Sequence, residues 1–319
     1  MKKLIILTAA ASLLAGLLAG GAAPARAEGS VNSGTAAAAG SAVTKTAVTG
    51  TPVLSHAEAV YQAVLPLLSS GRLSQAIAYI NANMYAVSPY QASVLTLRLE
   101  NLHKALLPAW ESKFSSSEVQ RKLNSVYKAG VSMAKLADST DNAALRTLLR
   151  SAGESGYKLE TAEGAFFPVI DYAAYRKYKL YVTGDIRDYI TIMATESDLP
   201  PSKDNGLIIA WGDVAARTLT QEQFIQDYPK SNRLAAVKTL YTLYTANTFY
   251  GQNNTPLFHY DNLEMDLEAQ KAYSSILAKN TDSSPFLEKL DGFMKLMKSN
   301  GYLLDDTVKQ YLKTEVPLS

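Results

Sequence analysis

The chain has 319 residues, no cysteine, and 31 Lys+Arg against 29 Asp+Glu. The missing cysteines exclude disulfides, thiolate metal sites and cysteine nucleophiles. Residues 1–27 contain three cations and no acid, so the remainder holds 28 against 29, a net charge of −1 that gives no reason to expect nucleic acid as a partner.

Lys2 and Lys3 precede an uncharged apolar stretch from Leu4 to Gly21, then Pro24 and the small-x-small run Ala25-Arg26-Ala27. This order predicts a cleavable secretory signal over 1–27 and a secreted, extracellular or envelope-associated protein. The apolar stretch nearly reaches bilayer-spanning length, and the cleavage pattern favours its removal. No later run approaches that length, so no membrane span is expected after signal removal. Residues 28–54 are mostly Ala, Gly, Ser, Thr and Val and predict a flexible spacer.

Order is expected from Ser55, where Ser55-His56-Ala57-Glu58 has the capping-box form. The helix it opens reaches Leu67, with Pro66 ending or kinking it. A second helix covers Leu73 to Met84, and Ser88-Pro89 starts a third, whose Leu95, Leu99, Leu102, Leu106 and Trp110 share one face. A fourth opens at Ser115-Ser116-Ser117-Glu118 and carries Val119, Leu123, Val126, Gly130, Met133 and Ala137. Asp141 caps a fifth, with Leu145, Leu148 and Leu149 inward. These five amphipathic segments predict an N-terminal helical subdomain over 55–153.

At 151–164 the helical period stops. Tyr157, Leu159 and Thr161 alternate with Lys158 and Glu160, and Glu163-Gly164 turns the chain toward Ala165-Phe166-Phe167, predicting one short β-hairpin within 157–170. The second subdomain, 154–319, then reads as helices over Asp171–Val182, Asp185–Thr195, Leu207–Asp227, Arg233–Tyr250, Leu267–Lys279, Ser284–Ser299 and Asp305–Thr314. The fold class expected is all-α: a helical bundle or stacked helical hairpins in two subdomains.

The segment Phe224-Ile225-Gln226-Asp227-Tyr228-Pro229-Lys230-Ser231, with the helices either side of it over about 207–250, resembles tetratricopeptide-type helical hairpins. A looser echo, Asn280-Thr281-Asp282-Ser283-Ser284-Pro285, follows about 52 residues later. That spacing departs from the family's 34-residue period, and the Trp-Leu-Gly-Tyr signature is absent. The resemblance implies stacked hairpins without a strict repeat array. The C-terminal half, especially Gly251-Gln252-Asn253-Asn254-Thr255-Pro256-Leu257-Phe258, resembles uncharacterised secreted proteins of Gram-positive bacteria, which implies no activity.

Tyrosine is frequent, at 19. Tyr172, Tyr175, Tyr178 and Tyr181 recur every third position among Arg176, Lys177 and Lys179. On an α-helix a step of three drifts by about 60°, so the four would wrap half of it and some would reach the surface. Tyr172, Tyr175, Tyr178, Tyr181, Arg176 and Lys179 are therefore the expected binding surface, for a cell-wall polymer or another envelope protein. Tyr241, Tyr244, Tyr250 and Tyr260 extend the search downstream.

Met193-Ala194-Thr195-Glu196-Ser197, followed by Gly206-Leu207, resembles the lytic transglycosylase and lysozyme-like motif, in which a Glu-Ser pair ends a helix. The resemblance implies Glu196 as a glycan-cleaving acid, a role that apolar walls around a carboxyl support. The intervening loop is short, and Ile208-Ile209 stand where Met-Gln are expected. Among the widely separated His56, His103 and His259, only His259 has acids nearby. With Asp261 and Glu264 it is a candidate metal group, set against turn and N-cap roles for Asp261 and Asp266 ahead of the helix from Leu267. Ser132-Met133-Ala134-Lys135 matches S-x-x-K, but no Lys-Thr-Gly follows. No cofactor is expected. The reading is a non-catalytic binding or scaffold protein of the cell envelope, with a cell-wall glycan-cleaving enzyme as its alternative.

Overall fold

The computed structural model describes residues 54–69, 71–280 and 284–318; the expected leader, and all of the expected spacer but Leu54, lie outside the described residues. The architecture is mainly α-helical with short antiparallel strand pairs.

The N-terminal helices are α1 (His56–Ser69), α2 (Leu73–Asn83), α3 (Pro89–Phe114), α4 (Ser117–Val126), α5 (Met133–Asp138) and α6 (Ala143–Glu154). Pro66 lies inside α1 without ending it. The capping box of α3 is formed by Ser88 and Gln91: the serine Oγ accepts Gln91 N–H at 3.3 Å, and Gln91 Oε1 accepts Ser88 N–H at 3.1 Å. The single helix expected through Ala137 is broken. It stops at Val126, where Tyr127 turns extended at φ −61° and ψ 134°; Gly130 follows at φ +73°, outside regular helix, and Ser132 restarts the chain by capping α5 through Lys135 N–H at 3.4 Å. That cap is the role of the serine in the S-x-x-K match. Asn142, rather than Asp141, caps α6, accepting Leu145 N–H at 2.9 Å.

The hairpin forms where expected, as β1 (Tyr157–Ala162) and β2 (Ala165–Ile170), with Tyr157 opposite Ile170 and Ala162 opposite Ala165. Glu163 and Gly164 take φ +50° and +77°, the left-handed pair of a two-residue turn that suits the strands' twist.

The next segment corrects the expectation of an α-helix over Asp171–Val182. Tyr172–Tyr178 is a 3₁₀-helix. With three residues per turn, side chains at i and i+3 eclipse instead of drifting. Tyr172, Tyr175 and Tyr178 therefore stack on one face and are buried, at 3%, 3% and 2% exposure.

There follow α7 (Gly184–Asp198), the strand pair β3 (Ser202–Lys203) and β4 (Gly206–Leu207), α8 (Trp211–Asp227) and α9 (Leu234–Tyr250). The helix expected from Leu207 starts at Trp211 because Asp204 and Asn205, at φ +50° and +59°, fold the preceding residues into a tight hairpin. Then come β5 (Gly251–Gln252), β6 (Thr255–Pro256), α10 (Leu267–Lys279), α11 (Pro285–Ser299) and α12 (Asp306–Glu315).

Two apolar cores result. The first joins α1–α7, the β1–β2 hairpin and parts of α8 and α9, including Leu99, Leu149, Tyr157, Phe166, Val214 and Tyr244. The second joins Trp211 and Ala215 of α8 and Phe249 of α9 to α10–α12, around Phe286, Phe293 and Met297. The cores thus part along the α8–α9 hairpin, whose helices contribute to both. The boundary drawn at 153/154 runs through the first core. No helix among the described residues is long and apolar enough to cross a membrane.

Candidate functional site

The stacked tyrosines belong to a buried polar network. Glu100, on α3 and 2% exposed, accepts hydrogen bonds from Tyr172 at 2.8 Å and Tyr189 at 2.6 Å. It also pairs with Lys104 at 2.9 Å and with Arg233 at 2.5 Å. Burial alone would raise the carboxyl; Lys104 and then Arg233 outweigh it and hold Glu100 below the usual carboxylate range.

One turn along α3, His103 Nε2 lies 2.9 Å from Ser155 O, which can only accept, so Nε2 carries the proton. Nδ1 then accepts from Tyr175 OH at 2.6 Å. Tyr178 OH donates to Asn81 Oδ1 at 2.7 Å. With hydroxyls committed inward, Tyr172, Tyr175 and Tyr178 are not the expected binding surface. Tyr181 and Lys179 are half-buried, and Arg176 is exposed and paired with Asp198. Of the downstream tyrosines only Tyr260 is strongly exposed.

Glu196 is sealed. It is 4% exposed; its Oε2 takes Tyr244 OH at 2.5 Å, and Oε1 lies 3.4 Å from Arg217. Burial raises its carboxyl, only partly offset by the Tyr244 hydrogen bond and Arg217. A raised carboxyl is what a general acid needs, but Glu196 lines none of the concavities described below. The His259 group does not converge either. Glu264 Oε2 takes the Asn262 amide at 2.9 Å, and His259 Nε2 stands 4.0 Å from Asp266, which caps α10. Among the described residues no three His, Asp or Glu side chains are placed to hold a metal ion.

A site that sequence reasoning missed lies along β1. A groove of about 640 Å³ runs beside the whole strand, between the α4–α5 loop and the segment around β3. The stretch around the α4–α5 loop contributes the small residues Ala129, Gly130, Ala134 and Gly153 beside Tyr127, Val131 and Met133. The opposite wall carries Ile208, 48% exposed, and Lys203. Carboxylates of Glu160, Asp171, Asp198 and Asp204 line it against the ammonium groups of Lys158 and Lys203. Lys158 pairs with Glu160 at 2.7 Å and also donates to Ser197 O. Arg176 engages Asp198 from outside the groove.

The strand edges differ. Asp171 N–H bonds Gly156 O at 3.0 Å, so residues of even number in β1 face β2 with their backbone groups, and Tyr157, Leu159 and Thr161 face away. Two of the three matching outward positions of β2, Phe166 and Pro168, are treated differently. Gln120 of α4 holds Phe166 at both backbone groups, donating to its oxygen at 2.7 Å and accepting its N–H at 2.8 Å. Pro168 has no N–H to satisfy. The outward N–H and C=O groups of Tyr157, Leu159 and Thr161 find no partner among the described residues.

A second, apolar concavity of about 670 Å³ lies near the C-terminal end, with Tyr260, Leu263 and Leu318 in its wall and Lys309 and Lys313 among its lining residues. A third, of about 430 Å³, lies at the α8–α9 turn around Tyr228 and Pro229. Neither runs along the length of a strand as the β1 groove does, so that groove is the candidate functional site. No family model, curated protein or solved structure matches the chain.

Proposed function

We propose that this chain is an exported, non-catalytic binding or scaffold protein of the cell envelope, and that it holds its ligand in the groove along β1. The observation that carries the reading is a concavity combining unsatisfied backbone groups, a carboxylate-rich rim and exposed apolar surface at Ile208. The leader motif at 1–27 supports the compartment. Glu196 as a glycan-cleaving acid draws no support from a side chain closed over by Tyr244 and Arg217.

The test is co-sedimentation of the purified protein with cell-wall sacculi, stripped of attached protein or left unstripped, while turbidity is followed. The protein should pellet without clearing the suspension, and Ile208→Arg should remain in the supernatant. Pelleting with both preparations identifies a wall polymer as ligand; pelleting with unstripped sacculi alone identifies an envelope protein. Equal pelleting of the variant rules out the groove. Clearing that Glu196→Gln abolishes would establish the enzyme instead.

A further inference from the structure

Resting on that reading, we infer that the groove takes an extended polypeptide segment bearing a basic residue, added as a third strand along the free edge of β1. The outward groups of Tyr157, Leu159 and Thr161 present alternating donors and acceptors at roughly 6.8 Å intervals, the two-residue repeat of an antiparallel strand. A polypeptide backbone is the ligand whose own donors and acceptors repeat at that spacing, and main-chain pairing is how edge-strand binding gains affinity.

The fold treats the two edges of one ribbon differently at the positions next to the turn. On β2 a glutamine side chain imitates a neighbouring strand at Phe166, and a proline removes the next outward donor. On β1 the edge is left open and bordered by a groove. The glycines and alanines of the facing wall leave room for a strand carrying small side chains. The charges select its chemistry. Of the lining carboxylates, Asp171 and Asp204 make no ion pair among the described residues; Lys203 lines the groove with them, and Lys177 and Arg176 act on Asp171 only from a distance. Asp171 lies beside the start of β1, while Asp204 accepts Glu163 N–H at 3.1 Å at the hairpin turn. A lysine or arginine toward either end of the incoming strand therefore meets a carboxylate.

The test selects binders from a phage-displayed library of random ten-residue peptides on the intact protein, counter-selecting on Ile208→Arg. The recovered peptides are then resynthesised with single N-methyl groups at each position. Lysine- or arginine-bearing sequences should be enriched, and N-methylation at alternate positions should weaken binding about tenfold or more while the intervening positions tolerate it. Hydrogen exchange at Leu159 and Thr161 should be fast in the free protein and slowed by the peptide. Thr161→Pro, which copies on β1 the device β2 uses at Pro168, should abolish binding; if that variant fails to fold, the N-methyl scan on the unaltered protein still decides.

Failure to enrich any peptide, uniform tolerance of N-methylation, or protection of Leu159 and Thr161 before peptide is added would each overturn strand addition. Protection in the free protein would mean that the edge is already covered. If strand addition fails while Ile208→Arg still abolishes sacculus binding, the groove binds by other chemistry. If Ile208→Arg leaves sacculus binding intact, the binding reading itself falls.

Discussion

Two buried glutamates, Glu100 and Glu196, stand in regions built from the same side-chain types and shift in opposite directions. Each lies on a helix, each accepts a tyrosine hydroxyl, and each faces an arginine. Glu100 has two cations and two hydroxyls, and its carboxyl is held low. Glu196 has one hydroxyl and one arginine at 3.4 Å that is shared with Leu199 O and Tyr244 OH, and its carboxyl is raised by burial. Desolvation is common to both, so the number and closeness of the countercharges decide which way each carboxyl shifts. The first site clamps α3, the 3₁₀ segment, α7 and the start of α9; the second is a lighter tie between α7 and the α8–α9 hairpin.

The largest predicted effect breaks the clamp. Glu100→Ala leaves Lys104, Arg233 and two tyrosine hydroxyls facing a hole, and removing one member of a buried charged set costs about 3–5 kcal/mol. Urea unfolding should show that loss, or the variant should fail to fold. A loss near that of a surface substitution would mean that Glu100 is not the clamp.

Acidification tests the same region next. Burial depresses His103 to about 4 from an ordinary 6.5, against the opposing hydrogen bond to Ser155 O. A base depressed in the folded state stays neutral there while the unfolded chain takes up a proton, so stability falls as pH drops from 6.5 toward 4, by about 3 kcal/mol for this group. Glu100 adds to the fall at lower pH: a depressed carboxylate contributes stability above its ordinary 4.5 that is lost as pH passes down through its folded value. Glu196 runs the other way. Its contribution is full below 4.5 and lost as pH rises through its raised folded value, so Glu196→Gln should flatten that arm of the profile. Chemical unfolding at pH 7, 6, 5 and 4 measures both. With Glu196→Gln removing the opposing arm, a flat profile between 6.5 and 4 would place His103 in contact with water.

Gly156 sharpens the comparison from the backbone side. It adopts φ +76°, and a Cβ there would stand 2.4 Å from His103 Nε2. Gly156→Ala combines left-handed strain with displacement of a fully bonded imidazole and should lose about 2–3 kcal/mol by thermal or urea unfolding.

Much of this fold was legible in local chemistry. The Ser88 cap with Pro89, the Glu163-Gly164 turn and the Asp266 and Ser284 caps are short-range devices, and the hairpin and helix starts follow from them. The tyrosine run was misread because a step of three was measured against the wrong helix. The clue to Glu100 and His103 lay in Leu99, His103 and Leu107, which follow one another at steps of four and so share an inward stripe. That stripe could not reveal Arg233, 133 residues away from Glu100. The groove was illegible for a related reason. Period-two alternation assigns strand faces, whereas an open edge depends on which strand finds a partner, here Gln120 at a separation of 46 residues from Phe166.

The smallest predicted effect concerns the one strongly exposed member of the expected tyrosine-and-cation surface. Arg176 pairs with Asp198 where both side chains are about half exposed, at 44% and 50%. Exposed pairs contribute about 0–1 kcal/mol and weaken with salt, so Arg176→Ala should move the unfolding midpoint little, and less at high ionic strength. Its effect on the groove should be larger than its effect on stability. Without Arg176, Asp198 faces the groove unpaired and the rim gains a free carboxylate. Binding of a basic peptide should tighten at low salt, by a factor that shrinks as salt is added. Unchanged affinity in Arg176→Ala at low salt would show that the rim charges do not select the ligand, leaving backbone pairing to act alone.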